Sequence, residues 1–259
     1  MAYNGFDITN KSCLVVGGTS GIGKAVALAL VESGARVVVG STNPDKCAAM
    51  KTELGEPHDA VQIHVADEAS VRTAVEHTTK KFGRLDGVIN AAGILQREPS
   101  LDVSVADFER IVRTNLTGSF VVAREAGRAM KDQSPDAQGL RGSIVMVASL
   151  TSFVSLNEVI SYAASKTGVL GLVRGLANEW AKLGIRVNAI APGVFPTDIN
   201  RKVIEGTERG TGLLWHTPMN RFGRAEELCG AVIYLISPSA SFTTGETIVV
   251  DGGFLVKGV

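Results

Sequence analysis

The feature that most constrains this chain is an alternation of short β-branched apolar runs with segments of helical periodicity. The short runs are residues 13–16, 36–39, 61–65, 87–91, 142–148, 185–190 and 247–250. Residues 22–31, 71–82, 105–129, 161–183 and 226–236 carry apolar side chains at the three- and four-residue spacing of a helix. A run that is apolar at successive positions is covered on both faces, and the intervening helices supply the cover. Right-handed crossovers then predict an α/β fold, a doubly wound parallel sheet with helices on both faces. No linker or repeat divides the 259 residues, which reads as one domain over 1–259.

Charge and composition exclude several partner classes. Lys plus Arg equals Asp plus Glu at 26 each, with no run of like charge, so no electrostatic footprint for nucleic acid or an anionic membrane is expected. No apolar run approaches the roughly 20 residues of a membrane helix. Residues 1–10 lack the basic and apolar regions of a signal peptide. Three scattered cysteines, with Cys13 in an apolar run, suggest buried thiols and a cytoplasmic protein. The four histidines show no metal-ligand spacing, and no metal is expected.

The first strand-to-helix junction reads Gly17-Gly18-Thr19-Ser20-Gly21-Ile22-Gly23. Glycines permit a tight turn and let a phosphate approach the backbone, and the helix N-terminus offers free N–H groups to a pyrophosphate. Thr19 and Ser20 add hydroxyls. The spacing differs from the G-x-G-x-x-G of the usual dinucleotide fingerprint, but its place in a Rossmann-type sheet is the expected one. Further on, Tyr162-Ala163-Ala164-Ser165-Lys166 opens a helix. Residues four apart share a face. A cation beside a phenol favours the phenolate and lowers a pKa that is otherwise near 10. Ser149 ends the preceding strand and either polarises a carbonyl in the same crevice or serves as a turn residue.

Together these motifs resemble the short-chain dehydrogenase/reductase family. The resemblance runs from about Thr9 to Gly253. It rests on the glycine turn, Asn90-Ala91-Ala92-Gly93, Asn115, Ser149, Tyr162 with Lys166, Pro192-Gly193, Gly245-Glu246-Thr247 and Asp251-Gly252-Gly253. It implies hydride transfer between a nicotinamide dinucleotide and a carbonyl or secondary alcohol. Tyr162 would be the general acid or base, and Lys166 would lower its pKa and hold the nicotinamide ribose. Ser149 would orient the substrate oxygen, and Asn115 would hold a water in a proton relay. Gly17, Thr19, Ser20, Gly21, Ile22 and Gly23 would receive the pyrophosphate. Asn90, Ala91, Ala92 and Gly93 would line the adenine-ribose side. Pro192, Gly193, Val194 and Thr197 would border the nicotinamide. The family also implies a tetramer, consistent with the apolar residues of 242–259.

Departures from the family pattern bear on the cofactor. Val16 stands where Thr is usual, which should leave the turn intact. After the second run come Ser41, Thr42 and Asn43, where NAD-preferring members commonly carry an Asp and NADP-preferring members often an Arg. Three donors and no carboxylate favour NADP, with NAD possible. His64-Val65 replaces the usual Asp-Val at the adenine; His64 is either an adenine contact or an exposed strand-end histidine.

The substrate-determining stretches are residues 150–161 and 195–221. Asn157 and Glu158, close before Tyr162, either line a polar pocket or cap the Tyr162 helix. Arg201, Lys202 and Arg209 belong either to a lid that meets a carboxylate or to a solvated helix. Leu156-Asn157-Glu158-Val159 is similar to the gluconate 5-dehydrogenase and deoxygluconate dehydrogenase branch, which implies a sugar, sugar acid or polyol. The alternatives are a 3-oxoacyl thioester reductase, which should show a basic carrier-protein surface, and a non-catalytic dinucleotide-binding regulator, which should lack Tyr162 or Lys166.

Overall fold

Every apolar run of the sequence contributes a parallel strand, the central ones buried between two helical layers and the edge strands β3 and β7 only partly covered. The computed structural model describes residues 4–197 and 200–258; residues 1–3 of the N-terminal segment, 198–199 of the 195–221 stretch and 259 of the tail lie outside them. Among the described residues there are seven strands: β1 (Ser12–Val16), β2 (Arg36–Ser41), β3 (Asp59–Gln62), β4 (Gly87–Asn90), β5 (Gly142–Val147), β6 (Ile185–Pro192) and β7 (Thr247–Val250). They form one sheet in the order β3-β2-β1-β4-β5-β6-β7, parallel throughout.

The period of a strand sorts its side chains between the layers. Leu14 and Val16 of β1 pack with Val71, Val121, Val122 and Val169, from α3 (Glu68–Phe82), α5 (Gly118–Lys131) and α6 (Ile160–Trp180). Cys13 and Val15 pack instead with Val26, Leu30, Met50 and Val232, from α1 (Gly21–Glu32), α2 (Pro44–Leu54) and α9 (Cys229–Ile236). Each fully buried Val or Leu contributes roughly 1.5–3 kcal/mol of transfer free energy. Cys13, Cys47 and Cys229 are buried and unbridged, and burial pushes the Cys13 thiol up to about 12. Among the described residues no helix is long and apolar enough to cross a membrane.

Local chemistry moves some expected boundaries. The 105–129 pattern is one helical run in three parts: α4 (Val105–Val112), a π-helical turn at Arg113–Thr117, and α5. The extra residue of that turn carries Asn115 into the interior. α2 was not expected from periodicity. It is specified by its start, where the Asn43 side chain accepts from the Lys46 N–H at 2.9 Å and Pro44 opens the first turn. β3 starts at Asp59, two residues before the apolar run.

Asp59 anchors the open edge of the sheet. Its carboxylate meets Lys51 at 2.9 Å, His77 at 3.1 Å and Lys81 at 3.7 Å. Burial alone would raise its pKa, but the bonds from Lys51, the Ala60 N–H and His77 bring it down to about 2. A folded pKa below the unfolded one gives stability that is present above about pH 4 and is lost as pH falls through 2. Asp59→Asn is therefore expected to cost about 2 kcal/mol at neutral pH. Urea unfolding should show this gap shrinking toward pH 2; a gap independent of pH would assign the loss to packing.

Candidate active site

The strand order reverses between β1 and β4, and a doubly wound sheet opens its crevice there, beyond the carboxyl ends of the strands. A cavity of about 320 Å³ occupies that position. Gly17, Ser20, Gly21, Ile22 and Gly23 line it from the first turn, and Ser41 and Thr42 from the end of β2. Val65, Ala91, Ala92 and Gly93 form its floor, with Pro192, Gly193 and Thr197 opposite. Ser149, Tyr162 and Lys166 share the same cavity.

The glycine turn is shaped for close approach. Gly17 has φ +79°, and a Cβ there would lie 2.8 Å from the Ala92 backbone nitrogen. A side chain would push the turn off the end of β4. Ser20, at the start of α1, makes no side-chain capping bond, and the first turn of α1 holds no acidic residue. The partial positive charge of that helix end is therefore left uncompensated toward the cleft. No Asp or Glu lines the cavity among the described residues. These features fit a dinucleotide phosphate.

Ser149, Tyr162 and Lys166 are held by a short network. Ser149 is buried, and its Oγ accepts from the Thr151 N–H at 3.1 Å. The Ser152 hydroxyl donates to the Lys166 carbonyl at 2.8 Å, tying the 150–152 turn to α6. Lys166 is 4% exposed and its Nζ donates to the Val147 carbonyl at 2.6 Å. That ammonium stands 5.7 Å from the centre of the Tyr162 ring. Burial pushes the Tyr162 phenol up, and a hydrogen bond with Ser149 opposes the rise. Burial also pulls Lys166 down to about 8. Burial is the larger influence on both groups, and the bond with Ser149 favours the phenolate.

Asn115 does not line the cavity but lies directly behind it. Its Oδ1 accepts from the Ile94 N–H at 2.8 Å. Its Nδ2 donates to the Ile94 carbonyl at 2.9 Å and to the Ser165 hydroxyl at 3.1 Å. A Cβ on Gly93 would sit 3.4 Å from that Oδ1 and 3.5 Å from Lys166 Nζ. Asn115 therefore joins the β4 exit to α6 with both side-chain ends already bonded. Asn90 is buried below the floor, donating to the Ser119 hydroxyl at 2.9 Å.

Several expected contacts lie elsewhere. Thr19 and Val194 are not on the cavity wall; Val194 lines a neighbouring pocket beside β7. His64 is exposed, with Nε2 3.3 Å from the Gln62 amide, and its neighbours Ile63 and Val65 line the cavity instead. Asn157 and Glu158 neither line the cavity nor cap α6, whose cap position is Val159 with no side-chain bond. Their partners are arginines: the Asn157 carbonyl accepts from Arg209 at 3.2 Å, and the Glu158 carboxylate accepts from Arg97. Asn200 was missed. It lines the cleft and pins its loop, accepting from the Thr197 N–H at 2.8 Å and donating to the Phe195 carbonyl at 3.0 Å. It stands immediately before the short helix α7 (Arg201–Ile204), but its side chain makes no capping bond there, so the helix-start preference of Asn is its one, indirect sequence signal. Arg97 was also missed; its only signal is a charge four residues after Gly93.

A cradle for a dinucleotide at the switch point, with a Tyr, a Lys and a Ser converging at one end, defines an α/β nicotinamide-dependent oxidoreductase. Residues 16–255 match the family model described as Enoyl-(Acyl carrier protein) reductase. The chain belongs to the short-chain dehydrogenase/reductase family. It is 35% identical over 255 residues to a D-threitol dehydrogenase of Mycolicibacterium smegmatis, covering 97% of this chain and 95% of that relative. It is 31% identical to the 2-dehydro-3-deoxy-D-gluconate 5-dehydrogenase of Escherichia coli, over 99% of this chain and 100% of that one. The crystal structure of a gluconate 5-dehydrogenase from Burkholderia cenocepacia in complex with NADP and tartrate superposes with a TM-score of 0.91. It is 33% identical and covers 98% of this chain and 99% of that one.

Proposed function

We propose that this protein is an NADP-preferring dehydrogenase/reductase that interconverts a secondary alcohol and a carbonyl on a sugar, sugar acid or polyol. The observation that carries the reading is the convergence of Ser149, Tyr162 and Lys166 on one end of a cleft whose other end is a glycine turn at a helix N-terminus. The nicotinamide supplies or accepts the hydride when bound. Tyr162 gives its hydroxyl proton to the carbonyl oxygen in reduction and takes it back in oxidation. Ser149 holds that oxygen and the phenol together, and Lys166 binds the nicotinamide ribose. Asn115 keeps the Gly93 segment and α6 in register. The whole reaction runs within one domain. The polyol and sugar-acid dehydrogenases named above favour the polar substrate class over acyl thioesters.

The NADP preference rests on Ser41 and Thr42 with no carboxylate on the cleft wall. Ser41→Asp would place a negative charge against the 2′-phosphate. It is expected to raise the KM for NADP by on the order of 10–100-fold while sparing NAD. Steady-state kinetics with both cofactors checks this; an unmoved ratio would remove Ser41 from cofactor choice.

The exposed apolar side chains of Phe242, Val249 and Val256 suit a homotetramer. Light scattering at micromolar concentration tests it, and a monomer would refute it. The balanced charge and the buried thiols support our reading of a cytoplasmic protein that works on a small molecule, without nucleic-acid or membrane partners. The deciding experiment is turnover of polyols, sugars and sugar acids with NADP and NAD in parallel. Turnover confined to hydrophobic ketones or acyl thioesters would overturn the proposed substrate class.

A further inference from the structure

Two residues past Leu95 of the cleft wall, and four before Tyr162, three separate segments meet on one carboxylate outside the cavity lining. Glu158 lies two residues before α6 and adopts φ +66°, a left-handed conformation that a residue with a side chain takes only when its surroundings hold it there. Its carbonyl accepts from the Glu98 N–H at 2.9 Å, which fixes the β4 exit segment to it. Its carboxylate accepts from Arg97 and lies 3.9 Å from Nη1 of Arg209. Arg209 belongs to α8 (Glu208–His216), and its Nη2 reaches the Asn157 carbonyl at 3.2 Å. The side chains of Arg97 and Arg209 are only 29% and 24% exposed. Arg97 Nε is buried with no hydrogen-bond partner.

Two guanidiniums therefore share one carboxylate, leaving one excess positive charge and one unused buried N–H donor. The other acid of this segment, Glu98, accepts instead from the Gln96 amide at 3.0 Å. We propose that Glu158 is a positioning residue with two coupled effects: it ties α8 to the start of the catalytic helix, and it competes with an anionic substrate group for Arg97 and Arg209. The substrate half of this inference rests on the function proposed above. A sugar acid would have to displace or share Glu158, whereas a neutral polyol would not. Glu158 thus biases this chain toward neutral polyols, and its removal opens a site for two-point recognition of a carboxylate.

The test uses the full-length protein with NADP, comparing wild type, Glu158→Gln and Arg209→Leu on D-gluconate and on D-sorbitol. Hydrogen exchange of residues 208–216 is followed in parallel without substrate. Glu158→Gln is expected to lower the KM for gluconate roughly tenfold relative to sorbitol, with kcat within about twofold. It should also speed exchange in α8. Arg209→Leu should speed the same exchange and move the gluconate KM the other way. Equal KM changes on both substrates would overturn the competition. If neither compound turns over, the proposed substrate class fails on its own account, and exchange alone decides. Unchanged exchange of 208–216 in Glu158→Gln would then overturn the inference, and faster exchange would uphold the tie.

Discussion

Tyr162→Phe is expected to reduce turnover by on the order of 10³-fold while leaving NADP affinity within about twofold. The substitution deletes one oxygen and keeps the ring, so the wall that Tyr162 contributes to the cleft survives. What is lost is the proton donor beside Ser149. No other group on the cavity wall replaces it. Lys166 is one candidate, but its ammonium is turned to the Val147 carbonyl at 2.6 Å. Ser149 has a hydroxyl of high pKa, and its Oγ already accepts from Thr151. Initial rates and a fluorescence titration of NADP on the same preparation separate chemistry from binding. Activity within about tenfold of wild type would remove Tyr162 from proton transfer. Parallel loss of NADP affinity would mean instead that the phenol serves the cofactor.

Gly23→Ala is the second large effect, and here binding and stability should fall together. A Cβ on Gly23 would lie 2.1 Å from the Gly17 carbonyl oxygen and 2.8 Å from its carbon. Both atoms are backbone, so no rotamer change relieves the clash; the turn must open or α1 must shift. The expected cost is about 2–4 kcal/mol, which lowers Tm by roughly 5–15 °C in a chain of this size. NADP affinity should drop at least about tenfold, because the N–H groups of the turn no longer converge. Gly171→Ala is the internal control. It lies within α6, where a Cβ meets nothing within 4 Å. Alanine there should be neutral or stabilising by up to about 1 kcal/mol. Equal Tm values for the two variants would show that the turn accommodates a side chain.

How far such effects are foreseeable from sequence depends on the range of the interaction. The seven strands and the helices α1, α3, α5, α6 and α9 were legible because burial on two faces or one writes its own period into the residues. α2 was not, since only three of its residues, Cys47, Met50 and Leu54, are buried; its cap was the better signal. The π-helical turn in the 105–129 run was also invisible. Its residues look like ordinary helix, and only packing against α6 and the β4 exit makes the extra residue worthwhile. From within that turn Asn115 reaches the Ile94 carbonyl and the Ser165 hydroxyl.

The sequence by itself determined which chemical groups stand at the carboxyl edge of the sheet. Gly17, Asn90, Ser149 and Pro192 each end or follow a strand, and the spacing of four residues puts Tyr162 and Lys166 on one helix face. These are local geometric facts, set by the 2.0 and 3.6 periods of the backbone. Tertiary structure alone decided what surrounds those groups. It buried Lys166 against the Val147 carbonyl and brought its pKa to about 8. It drew Glu158 away from the cleft wall to Arg97 and Arg209, and left His64 in solvent while Val65 faces inward. Desolvation and charge pairing depend on segments far apart in the chain and joined only by the crossovers, and no local period records them.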